Sequence, residues 1–411
     1  MKCTVLALWL VTVAVGLWLR YLNLRHLRTH GGEVPAGFET AVDSVDLARA
    51  TEYTLARSRF GLFHSLWDDV LLLVFFFGGV LPVYDGWLAG PTDSFIGAGV
   101  LFALGLLLAQ SLLAIPFDLW HTFRLEARFG FNTTTLRLWC TDSLKSLLIS
   151  ALLLGLLVAA ALGLVQASPA RWWLWVWGLL AATSVFLLLV SPYLIEPLFF
   201  KFEPLQRQDL EDEVRALLAR AGLRVSKVLQ VDASRRSRHS NAYFTGIGRV
   251  KRIVLFDTLL EQMDDGEVLA ILAHELGHWK KGHLAKRLLQ TELLMLVACW
   301  GAHALLAAGV LPGLLGLSAA SFYAQVLILA FVAGIVFFPL QPLFAWLSRR
   351  HEWQADRFAA SLTDNPQSLA SALVKLSKEN LSNLHPHPWH SAWHDSHPPV
   401  ARRVARLQHS R

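Results

Sequence analysis

Seven stretches of this chain, 3–19, 63–83, 94–116, 146–166, 172–195, 288–311 and 321–346, are apolar for long enough to cross a lipid bilayer. Inside hydrocarbon every backbone N–H and C=O must find its partner within the segment, so runs of this kind fold as helices. Composition agrees: of 411 residues, 54% are hydrophobic and only 17% charged, unlike a soluble enzyme of this length. The prediction is a mainly α, polytopic membrane protein with seven transmembrane helices. Met1-Lys2 ahead of the first run resembles a signal peptide, but no small-residue cleavage site precedes Arg20, so the run is read as a retained span. Trp172, Trp173, Trp175 and Trp177 open the fifth run and suit a headgroup belt.

Cationic residues collect on alternate loops. Arg20, Arg25, Arg28, Arg49, Arg57 and Arg59 follow the first span, Arg124, Arg128 and Arg137 follow the third, and the interval after the fifth and the C-terminal tail are densely basic. The other loops carry Asp85 and Asp93, then Arg171, then no charge at all. Under the positive-inside rule the N-terminus is outside and the C-terminus cytoplasmic. The formal net charge of +6 then belongs to cytoplasmic faces that meet anionic membrane lipid, and no nucleic-acid motif accompanies it. Cys3, Cys140 and Cys299 are too few and scattered for a disulfide framework or a cysteine metal site, and read as apolar fillers.

The chain divides into 1–197 (spans 1–5 with cytoplasmic loops), 198–287 (a cytoplasmic catalytic domain), 288–346 (spans 6–7) and 347–411 (a cytoplasmic part completing the site). Within 198–287, Leu210, Val214, Leu217, Leu218 and Ala221 recur at helical spacing. An apolar run Val225 to Val231, a polar stretch Asp232 to Ser240, then Asn241 to Gly246 and Ile253 to Phe256 about a Gly248-Arg249 turn, predict a small antiparallel sheet. Asn241, Ala242, Tyr243, Phe244 and Thr245 form its candidate edge, to which an extended peptide substrate could add as a strand.

Next comes His274-Glu275-Leu276-Gly277-His278. Asp264-Asp265-Gly266-Glu267 supplies N-cap chemistry and Val268, Leu269, Ile271 and Leu272 an apolar stripe, so the motif lies inside a helix. At 3.6 residues per turn the two imidazoles face one way and can share a tetrahedral zinc, one per chain, with Glu275 beside the open coordination position. A zinc held so acidifies a water to a pKa of about 7, and the Glu can act as general base in peptide hydrolysis. The third ligand is assigned to Glu352 in His351-Glu352-Trp353-Gln354-Ala355-Asp356, whose Asp356 falls on the same helical face and can take the free ring N–H of a ligating His.

The tail concentrates His385, His387, His390, His394 and His397 among Pro and Trp, a pattern read as a flexible surface loop. His397-Pro398-Pro399 precedes a short helix with Arg402, Arg403 and Arg406, and a His and an Arg brought to the metal could stabilise a tetrahedral oxyanion.

Taken together, His274 to His283, Asn241 to Gly246, Glu352 to Asp356 and Ser396-His397-Pro398-Pro399 resemble the motifs of the type I CAAX prenyl endopeptidases, integral-membrane zinc proteases. Glu126-Ala127-Arg128-Phe129-Gly130-Phe131-Asn132 and Pro197-Leu198-Phe199 with Lys201-Phe202 resemble that family's further signatures, so the likeness covers nearly the whole chain. The resemblance implies seven helices enclosing a chamber, capped by a cytoplasmic zincin-like α+β catalytic domain. It implies His274, His278 and Glu352 as ligands, Glu275 as general base, and Asp356 behind a ligand. Asn241 to Phe244 would then line the substrate, with His397 and Arg403 assisting the transition state. Ala127-Arg128, Thr133-Thr134 and Glu196 depart from the family pattern, which bears on substrate selection.

The expected function is therefore zinc endoproteolysis of prenylated CAAX-type or hydrophobic, membrane-associated substrates by a monomer. Competing readings are a zinc or iron transporter and an inactive seven-helix scaffold. Charged residues bracket the His motif, Asp264-Asp265 before and Lys280-Lys281 after, which sets it at the membrane surface rather than within a span. Short loops and a terminus without a retrieval signal suit a bacterial inner membrane, the endoplasmic reticulum being the eukaryotic counterpart. Cysteine labelling in sealed vesicles is expected to find residues 20–60, 120–142, 200–285 and 350–411 on one face and 85–93 and 310–320 on the other. Labelling of position 265 from the outside would invert this topology.

Overall fold

The computed structural model describes residues 1–88, 92–223, 227–245 and 252–409. The anticipated Gly248-Arg249 turn and the first residues of the run from Val225 lie outside the described residues. Six helices come first: α1 (Lys2–His30), α2 (Ser44–Phe77), α3 (Val80–Leu88), α4 (Phe95–Trp120), α5 (Leu136–Ala167) and α6 (Trp172–Leu194). Strand β1 (Phe202–Pro204), helix α7 (Gln208–Arg220) and strands β2 (Lys227–Val231), β3 (Ala242–Thr245) and β4 (Arg252–Phe256) follow. Then come α8 (Asp257–Gln262), α9 (Asp265–Lys280), α10 (His283–Ala307), α11 (Leu311–Leu314), α12 (Phe322–Phe337), α13 (Gln341–Thr363), α14 (Pro366–Glu379), α15 (Pro388–His394) and α16 (Val400–Gln408).

Among the described residues seven helical segments are long and apolar enough to cross a membrane: α1, α2, α4, α5, α6, α10, and α12 continued into α13. Each overlaps one of the runs read from sequence, but the boundaries differ: the run 63–83 is broken between α2 and α3, 288–311 outlasts α10, and 321–346 runs from α12 into α13. Several helix starts carry polar caps: Asp43 with Asp46 on α2, Ser94 on α4, Thr135 on α5 and Ser321 on α12. Pro116 lies inside α4, which continues through a π-helical turn, His121–Glu126, a device unseen in the hydrophobic pattern. The helices touch in chain order, α1 to α2, α2 through α3 to α4, then α5, α6, α10 and α12, and α12 returns to α1. No more than 17% of any apolar window is buried in protein. A solid bundle would bury a stripe on every helix, so this closed ring surrounds an open chamber.

The tryptophan belt is only partly met. Trp175 is exposed, but Trp172 is buried with its ring 5.8 Å from those of His303 and Phe322, and Trp177 Nε1 donates to the Glu292 carbonyl at 3.0 Å. Packing between helices holds these two.

Among the described residues four strands form a sheet in the order β1-β2-β4-β3. The expected antiparallel sheet is mixed: β1–β2 and β3–β4 run antiparallel, whereas β2 and β4 pair in parallel. The reason lies in burial. Val228, Leu229, Ile253, Val254 and Leu255 are covered on both faces, which is how parallel strands are stabilised. One face meets Leu210, Val214, Leu217 and Leu218 of α7 and the apolar side of α9 in the main core, and the other meets Phe200, Phe202 and Tyr243. Phe38, Val42 and Leu47, from the loop after α1 and the start of α2, enter that same main core. Strand β3 lies at the sheet edge, where Asn241 to Thr245 were expected.

The loop after the first span, the loop after the third and the tail all gather on the face that carries the sheet, while Ser321 donates through its backbone N–H to Asp85 at 2.8 Å on the opposite face. One junction ties the ring to the sheet. Glu126 accepts from the Tyr53 hydroxyl at 2.8 Å and faces His239 Nε2 at 3.2 Å, while His239 Nδ1 meets Asn380 Oδ1 at 2.7 Å. Burial disfavours the charged His239 ring, but the bonds to Glu126 and Asn380 outweigh it and raise the ring above its ordinary value. A raised folded value means that the pair adds stability below about pH 6.5 and loses it as pH rises through the raised value. Between pH 6 and pH 9 the melting temperature of the protein should therefore fall relative to that of His239→Gln. Parallel pH profiles for the two would remove this junction from the stability balance.

Candidate metal centre

Helix α9 begins at Asp264, whose side chain accepts from Glu267 N while Glu267 accepts from the Asp264 N–H. Lys375 and Ser371 of α14 hold Glu267 in turn, at 2.7 Å and 2.6 Å. The helix is thereby fixed at its start, and His274 and His278, one turn apart, face α13. Glu352 of α13 completes a triangle: His274 Nε2 to His278 Nε2 is 3.2 Å, His278 Nε2 to Glu352 Oε1 3.2 Å, and His274 Nε2 to Glu352 Oε2 3.4 Å. Ligand atoms about 2.0–2.1 Å from a tetrahedral ion stand about 3.3 Å apart, so the three fit a metal at their centre. Among the described residues they are the one group with this geometry.

Charge supports the same reading. Glu352 and Asp356 are both buried, and the permanently charged group beside them is Arg403, also buried. Two carboxylates against one guanidinium leave the pocket short of positive charge. Burial disfavours a charged His274 ring, yet its hydrogen bonds to Asp356 and Glu352 push it up to about 9. Glu352 Oε2 is a buried oxygen without a well-directed hydrogen bond, although His397 Nδ1 stands 2.7 Å from it. A cation satisfies this oxygen and the charge balance together.

Each remaining candidate has a definite place. Asp356 Oδ1 lies 2.8 Å from His274 Nδ1, which fixes the proton there and leaves Nε2 free for a metal. Arg403 grips Asp356 through Nε at 2.9 Å and Nη2 at 2.6 Å, and its Nη1 is 3.6 Å from Glu352. It therefore braces both buried carboxylates. Glu275 is half-buried next to His274, under the influence of Arg403, and among the described residues its side chain has no hydrogen bond. His397 is exposed on the solvent side of Glu352. Strand β3 packs on α9; Ala242 faces the core, Asn241 is exposed, and the Tyr243 hydroxyl donates to Glu196 at 2.7 Å. Glu196, the departure noted above, thus secures the edge strand to the end of the fifth span.

The His-rich tail is ordered rather than a flexible loop. His387 caps α15, its backbone N–H donates to Asn23 of α1 at 2.9 Å, and Arg349 of α13 donates to the carbonyls of Ser391, Ala392 and Asp395. Partly buried hydrogen bonds to residues distant in sequence, invisible to composition, decide this.

Two residues missed in the sequence set the distance between the helices. A Cβ on Gly277 would stand 2.8 Å from Ala355 Cα and 3.0 Å from Ala355 O, so α9 and α13 touch backbone to backbone. Small residues one before His278 and three after Glu352 were the available signal.

Residues 23–201 match the family described as "CAAX prenyl protease N-terminal, five membrane helices", and residues 204–411 match "Peptidase family M48". The CAAX prenyl protease 1 homolog of Oryza sativa is 34% identical over 94% of this chain and 93% of that protein. Its human counterpart is 31% identical over 98% and 94%. CAAX prenyl protease 1 of Saccharomyces cerevisiae is 29% identical over 92% and 89%. The crystal structure of S. mikatae Ste24p superposes with a TM-score of 0.88, at 28% identity, over 98% of this chain and 99% of that one.

Gly277→Ala is expected to push α13 from α9, weakening metal binding at least tenfold and costing about 1–3 kcal/mol of stability. Chelator competition and denaturant melts check both effects. Unchanged metal affinity would show that the triangle tolerates separation of the helices.

Proposed function

The chain belongs to peptidase family M48 and carries the membrane domain of the CAAX prenyl proteases, and from this integral-membrane metalloprotease we propose a zinc endopeptidase that cleaves CAAX-type or other hydrophobic, membrane-associated peptides. The observation that carries the proposal is the triangle of His274, His278 and Glu352, with donor atoms 3.2 to 3.4 Å apart. Zinc bound there would supply a Lewis acid for the scissile carbonyl and for a water. Glu275, beside the triangle, would serve as the general base, taking a proton from the attacking water and passing it to the departing amine. Asp356 keeps the proton of His274 on Nδ1, and Arg403 holds Asp356 in place. His397, exposed over Glu352, donates toward the oxygen that gains charge. The peptide is held in extended form along Asn241 to Phe244 by main-chain hydrogen bonds to β3, since the Tyr243 side chain is already engaged by Glu196.

The proposed orientation follows the basic loops, with the site on the cytoplasmic face, in contact with membrane lipid and working as a monomer. Short loops carry the further proposal of a bacterial inner membrane. A metal transporter is disfavoured because α9, which bears the histidines, is not one of the seven candidate spans. The intact set of His274, Glu275, His278 and Glu352 argues against an inactive scaffold.

Purified protein should hold one zinc per chain and lose it in His274→Ala, His278→Ala and Glu352→Ala. Glu275→Ala should keep the zinc while hydrolysis falls about 10²–10⁴-fold. Turnover of a farnesylated CAAX peptide, its unprenylated twin and a folded soluble protein tests the substrate class. The folded protein should resist cleavage, because it can neither add a strand nor enter a ring of helices. Equal rates for the two peptides would show that the lipid is not what the enzyme reads.

A further inference from the structure

His283, the first residue of α10, has no part in the chemistry described so far, yet it is buried and bonded on both ring nitrogens. Its Nδ1 lies 3.0 Å from His278 Nδ1, and its Nε2 lies 2.9 Å from Gln354 Oε1. A stacked contact with His351, 4.1 Å between ring centroids at 11°, fixes the plane of the ring. The turn that brings it there depends on Gly282, whose φ of +65° lets α10 start directly after α9 and fold His283 back over His278.

The direction of this chain is determined. His278 Nε2 faces the metal triangle, so His278 must carry its proton on Nδ1, and that proton can only be donated to His283. His283 Nδ1 then accepts, its own proton resides on Nε2, and the amide oxygen of Gln354 receives it. The reverse arrangement would put a proton on His278 Nε2, where a metal must bind. Every polar atom along the chain is satisfied in one sense alone.

We propose that His283, backed by Gln354, is the positioning residue that selects the metal-binding tautomer and ring orientation of His278, as Asp356 does for His274. Both relays are rooted in α13, at Gln354 and Asp356 on either side of Ala355, so the helix that provides the third ligand also aligns the other two. They differ in charge. A carboxylate stands behind His274 and a neutral imidazole and amide behind His278, which restrains the negative charge in the pocket.

The proposal rests on the reading of His278 as a ligand, and the experiment separates the two. Zinc dissociation constants of the full-length protein in detergent are measured by competition with a chromogenic chelator. His278→Ala should abolish tight binding, and His283→Ala should weaken it about 10- to 100-fold. His283→Asn, which keeps an acceptor oxygen at the Nδ1 position, should recover most of the loss, unlike a substitution that only repairs packing. Gln354→Ala should weaken binding severalfold, and combined with His283→Ala it should add nothing, because Gln354 acts through His283. If His283→Ala does not fold, His283→Asn and Gln354→Ala decide alone: near-native affinity in the first with a severalfold loss in the second upholds the relay. Native affinity in His283→Ala, an Asn variant as weak as the Ala variant, or independent losses in the double variant would overturn it. Retained affinity in His278→Ala would instead remove the ligand assignment itself.

Discussion

The approach of α9 and α13 at Gly277 and Ala355 is the contact on which the rest of the centre depends. A tetrahedral ion tolerates errors of a few tenths of an ångström in ligand position, and two of the proposed ligands come from one helix and the third from the other. Side chains at the crossing would hold the axes about 8–10 Å apart; a glycine against an alanine removes that spacer. Because α13 continues from α12 through a short 3₁₀ turn, the last span and its extension form one helical segment of 42 residues, about 63 Å at 1.5 Å per residue. The bilayer core takes about 30 Å of that length, so the remainder can carry Glu352 out to the catalytic face. The site is therefore hung from the membrane ring, not merely placed beside it.

Charge then selects what the pocket will hold. Burying Glu352 and Asp356 together is unfavourable unless positive charge meets them, and Arg403 offsets one of the two. With Glu275 beside them the carboxylates number three, so a divalent ion together with Arg403 completes the balance and also meets the buried Glu352 oxygen. The pocket's preference for a cation is thus a property of the folded scaffold before any substrate arrives.

Long apolar runs carried the membrane helices in the sequence because each span must satisfy its own backbone, whatever its neighbours do. The His-Glu-His spacing was equally legible, being local to one helix. The parallel pairing of β2 with β4 was not, since it depends on which surfaces cover the strands. The order in the His-rich tail was hidden for a related reason: Asn23 and Arg349 lie hundreds and tens of residues away from what they hold. Long-range polar contacts leave no periodic trace. Glu196 shows the limit from the other side, visible as a departure from pattern but without meaning until the Tyr243 hydroxyl was found against it.

The edge strand extends the same logic to substrate handling. Among the described residues strand β3 is joined to the sheet on one side, so the sheet alone would leave its position relative to α9 free to drift. Two polar ties prevent this, Tyr243 to Glu196 at the end of the fifth span and, just upstream of the strand, His239 to Glu126 at the end of the third. Both anchors are carboxylates at the cytoplasm-proposed ends of membrane helices, while Glu352 descends from the seventh. The strand proposed to align the peptide and the ligand proposed to bind the metal are therefore referenced to one ring. A shift of any of those three spans would displace the peptide register and the metal relative to each other, so the enclosing helices govern catalytic geometry as well as access.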